Sequence, residues 1–94
     1  MSERDVDDGF WDRADGLTNL ANEYCDTISR SKVSASFLYA AARFNSFVIA
    51  NSTISVEELR HDKEGAVEYF VEQYRKMLTE NIDDHINNYD KYIG

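Results

Sequence analysis

The chain has 94 residues, of which 43% are hydrophobic, with no proline, four glycines and a net charge of −8. That length gives a single helical domain over residues 1–94 with a modest core, and the apolar content excludes a wholly disordered chain. Charge is segregated: residues 1–26 hold eight acids and two bases, residues 27–54 hold Arg30, Lys32 and Arg43 with no acid, and residues 55–94 hold ten acids and five bases. The acidic flanks repel phosphate, so binding to DNA, RNA or an anionic membrane is not expected.

One cysteine, Cys25, cannot close an internal disulfide, and the start of the chain, "MSERDVDDGF", has no apolar signal region. Both features predict a cytoplasmic protein. Residues 1–8 read as a disordered acidic tail.

The first helix is expected over about 9–29. Phe10, Ala14, Leu17, Ala21, Tyr24 and Ile28 are spaced 4, 3, 4, 3, 4, which is one helical stripe. Asp7 or Asp8 is placed to cap it. Gly16 lies inside it without an evident packing reason.

The second helix is expected over about 32–51, with Ser31 as its N-cap. "VSASFLYAAARFNSFVIA" is apolar at 13 of 18 positions. At about 100° per residue, Val33, Phe37, Ala40, Ala41, Phe44, Phe47 and Val48 gather on one side, with Ala35, Leu38, Ala42 and Ile49 nearly opposite. A membrane span would hold Arg43 near mid-bilayer, at about 2.5–3.5 kcal/mol, with Asn45 close by. The segment therefore reads as the twice-covered spine of a three-helix bundle.

The third helix is expected over about 55–87. Ser55 and Glu58 have the spacing of a capping box, and Ile54 and Leu59 that of a hydrophobic staple. Val56, Leu59, Ala66, Val67, Phe70, Val71, Tyr74, Met77, Leu78, Ile82 and Ile86 form one broad stripe. Two breaks are open: one at His61–Asp62, and one near Asn81 that folds residues 80–93 back as a short fourth helix. A fold-back would cover residues 80–93 within one chain, as a monomer, whereas an unbroken stripe outruns a helix of the second one's length. Ile82, Ile86, Tyr89 and Ile93 then need a cover, and the simplest is a second copy of the chain, so a homodimer is expected.

"KVSASFLYAAARFNSFVIAN", "EGAVEYFVEQYRKMLTENIDDHINNYDKY" and "FWDRADGLTNLAN" together resemble a small bacterial family of uncharacterised proteins, a domain-of-unknown-function family. The pattern rests on Ser34, Ala35, Tyr39, Ala40, Ala41, Arg43, Phe44, Asn45, Tyr69, Phe70, Tyr74 and Met77. The resemblance implies a bacterial, cytosolic, all-α protein, and it implies no reaction and no catalytic residues.

Chemistry-bearing motifs are sparse. Glu58 and His61 are three apart, the half-motif that two-metal centres in helical bundles use twice, so a metal enzyme would need a dimer to pair them. Cys25 falls beside an apolar stripe with no nearby base to activate it. The serines form no nucleophile elbow, and there is no glycine-rich phosphate loop. No cofactor, metal or catalytic residue is therefore expected. Tyr39 and Arg43 lie one turn apart. With Asn45 and Tyr74 they are the candidates for contacting a ligand in an aromatic pocket, or an unidentified protein partner. An interaction or accessory protein that self-associates is the leading expectation, ahead of small-ligand binding and of a metal-dependent enzyme.

Overall fold

A computed structural model describes residues 5–93. The fold is all-α: α1 spans Phe10–Tyr24, α2 Arg30–Asn51, α3 Val56–Asn87 and α4 Tyr89–Tyr92. The three expected long helices are present. α3 is long, and the short fourth helix is only the single turn α4 after Asn87, without the break near Asn81 that would fold residues 80–93 back.

α1 starts on Gly9, with no side chain capping it. Asp7 acts differently from the expected cap. Its carbonyl accepts from the Phe10 N–H at 3.1 Å, and its carboxylate pairs with Arg13 at 2.8 Å. Residues 1–4 of the expected acidic tail lie outside the described residues.

The helix ends five residues early. The Cys25 N–H is shared between the Ala21 and Asn22 carbonyls, and Asp26 and Thr27 donate three residues back. These tighter turns use up the last free carbonyls and close the helix. α2 then begins two residues sooner than expected. Ser29 holds extended geometry as its N-cap, and its carbonyl accepts from the Val33 N–H at 3.1 Å.

Ser55 caps α3 as expected, its hydroxyl accepting from the Glu58 N–H at 3.2 Å. The staple does not close: Ile54 is 92% exposed. The helix runs through His61–Asp62, where the Asp62 carboxylate lies 3.2 Å from His61 Nδ1 instead of capping a new start. It also runs through Asn81, whose amide donates to the Met77 carbonyl one turn back at 2.7 Å. An asparagine turned onto its own helix in this way does not offer the backbone an exit.

The chain divides into two units, Met1–Ser52 and Thr53–Gly94. In the first, α1 and α2 form a helical hairpin through residues 25–29. Its only buried side chain among the described residues is Val33, at 8% exposure, with Phe10, Ala14, Ala21 and Cys25 half-buried. The second unit carries α3 and α4 and has no buried residue among those described.

Candidate functional site

In the hairpin, the stripe of α1 and the Val33 side of α2 do not close on each other. Between them lies a groove of about 610 Å³, walled by Leu17, Leu20 and Tyr24 on α1 and by Val33, Phe37 and Ala40 on α2. Lys32 stands in its wall beside the connection. Farther along α2, Tyr39, Ala40, Arg43, Phe44, Phe47 and Ala50 line a second concavity. The two share Ala40, so α2 presents one continuous apolar track from Lys32 to Ala50. About 27 Å long at 1.5 Å per residue, it is walled by α1 over its first half only.

Tyr39 and Arg43 therefore meet on one face, as their spacing predicts. Tyr39 is 70% exposed, and Phe44 and Phe47 beside it are also exposed. Arg43 has no acid within ion-pair distance among the described residues. Asn45 is off this face: two residues beyond Arg43 is about 200° around a helix. It is half-buried and does not line the concavity. Tyr74 sits on the exposed stripe of α3.

All residues lining the Tyr39–Arg43 concavity come from one helix. It is a helix face, without the enclosing walls that hold a small molecule. The groove residues Leu17, Leu20, Tyr24 and Phe37 read as core in the sequence, because their spacing marks a face to be covered without saying by what.

The stripe of α3 is similarly open. Val67, Val71, Tyr74 and Leu78 are spaced 4, 3, 4 and are all exposed, as are Ile82, Ile86, Tyr89 and Ile93 beyond them. The polar side of the same helix end is satisfied locally. His85 Nδ1 lies 2.7 Å from the Asn81 carbonyl, which makes it the protonated nitrogen. The Asn88 amide donates to the Asp84 carbonyl at 3.1 Å and to its carboxylate at 2.9 Å. The Tyr92 hydroxyl donates to the other Asp84 oxygen at 2.9 Å, and its ring lies 4.7 Å from that of His85. This bond, and the repulsion of a phenolate by Asp84, raise the Tyr92 pKa above 10.0. At the other end of the chain, the hydrogen bond from Arg13 lowers the Asp7 carboxyl below its ordinary 3.8.

Glu58 and His61 are not joined by further ligands. Among the described residues no three His, Cys, Asp or Glu side chains gather as a metal site. Cys25 is a half-buried free thiol. α2 is the one helix among the described residues long and apolar enough to cross a membrane. Its best 18-residue window has a mean hydropathy of 1.2, and it contains the unpaired Arg43.

Residues 10–86 match the model of a family described as a protein of unknown function, DUF3144. The chain belongs to that family. It is also similar to the NMR structure of the protein NB7890A from a Shewanella species, with 33% identity over 94% of each chain and a TM-score of 0.76. No curated protein matches it. Membership agrees with the expected resemblance, and it brings no activity with it.

Proposed function

We propose that this DUF3144 chain is a bacterial, cytoplasmic interaction protein that works as a self-associated pair. The observation that supports this reading most is the shortage of covered apolar side chains. One residue is buried among those described, while Leu17, Leu20, Tyr24, Phe44, Val71 and Leu78 stay exposed. Ile82, Ile86, Tyr89 and Ile93 belong to the surface that the second copy covers in this reading.

Two other readings have less support. A ligand site at Tyr39 and Arg43 lacks walls beyond one helix. A metal enzyme would have to assemble Glu58 and His61 from two copies, and His61 already lies against Asp62.

Native mass spectrometry separates the three. The expected spectrum is twice the chain mass with nothing added, reverting to the single chain in Ile82→Asp with Ile86→Asp. A bound small molecule that is lost in Arg43→Ala would favour the ligand site. A stoichiometric metal that is lost in His61→Ala would favour the enzyme.

A further inference from the structure

We draw no further inference here: the strongest candidate, the apolar groove between α1 and α2 that continues along α2 to Ala50, carries nothing beyond the self-association already proposed, because nothing in the structure shows which helix covers it, the chain's own α3 or that of a second copy.

Discussion

The track on α2 and the polar side of the C-terminal end of α3 are both exposed helical surfaces, yet they are built in opposite ways. From Met77 to Tyr92 the polar side chains are satisfied locally: Asn81 by the Met77 carbonyl, His85 by the Asn81 carbonyl, and Asn88 and Tyr92 by the Asp84 carboxylate. Along Lys32 to Ala50 the Ser46 hydroxyl donates only back to its own helix, to the Arg43 carbonyl at 2.8 Å. Among the described residues, the aromatic rings between Tyr39 and Phe47 and the Arg43 guanidinium have no ring or ion-pair partners. Exposure by itself therefore does not mark a docking surface. The distinguishing feature is apolar and cationic groups left without local partners.

The largest effect that can break this comparison is a charge placed on the track. Leu20→Asp or Phe44→Asp should raise the dissociation constant of the pair at least 100-fold, because an unpaired charge buried at an interface costs several kcal/mol. Asn88→Asp, at the self-satisfied end, should leave pairing within about twofold, as surface changes do. Equal effects at both places would remove the distinction. Analytical gel filtration across a dilution series reads both.

A smaller effect sharpens it. A Cβ added at Gly65 or at Gly16 meets nothing within 4 Å. Gly65 lies off the α3 stripe, so Gly65→Ala should stabilise the chain by about 1 kcal/mol through helix propensity alone. Gly16 is one turn before Leu20, at the rim of the groove. If a second copy fills that groove, Gly16→Ala gains less than Gly65→Ala; equal gains in thermal melts mean an unfilled rim.

The smallest effect is a pH dependence at α4. The Tyr92 pKa lies above its unfolded value, so the contribution of its bond to Asp84 is complete below about pH 10 and is lost as pH rises through the folded pKa. Ultraviolet titration should show one late tyrosine that disappears in Tyr92→Phe. Because the bond lies on the locally satisfied polar side of the helix end, pairing should not change with it.

Much of the architecture can be read in the sequence, for identifiable reasons. The 4, 3, 4, 3, 4 stripe marks α1, and the Ser55–Glu58 spacing marks the start of α3, because both depend on neighbours in the same helix. Tyr39 and Arg43 share a face for the same reason. The early end of α1 was not legible, since it depends on how the Cys25 N–H divides between two carbonyls. The continuation of α3 past Asn81 was not legible either. Asparagine can turn into a loop or back onto its helix, and only the contact with Met77 decides. The groove residues read as core because spacing reports that a face must be covered, and leaves open which helix covers it.

The central claim is that a second copy covers the open apolar faces. Sedimentation equilibrium over micromolar to hundreds of micromolar protein tests it most directly. The account predicts a mass of twice 10.9 kDa at the upper concentrations, falling toward 10.9 kDa on dilution. A mass of 10.9 kDa throughout, with a cooperative melt showing that the chain is folded, would contradict it.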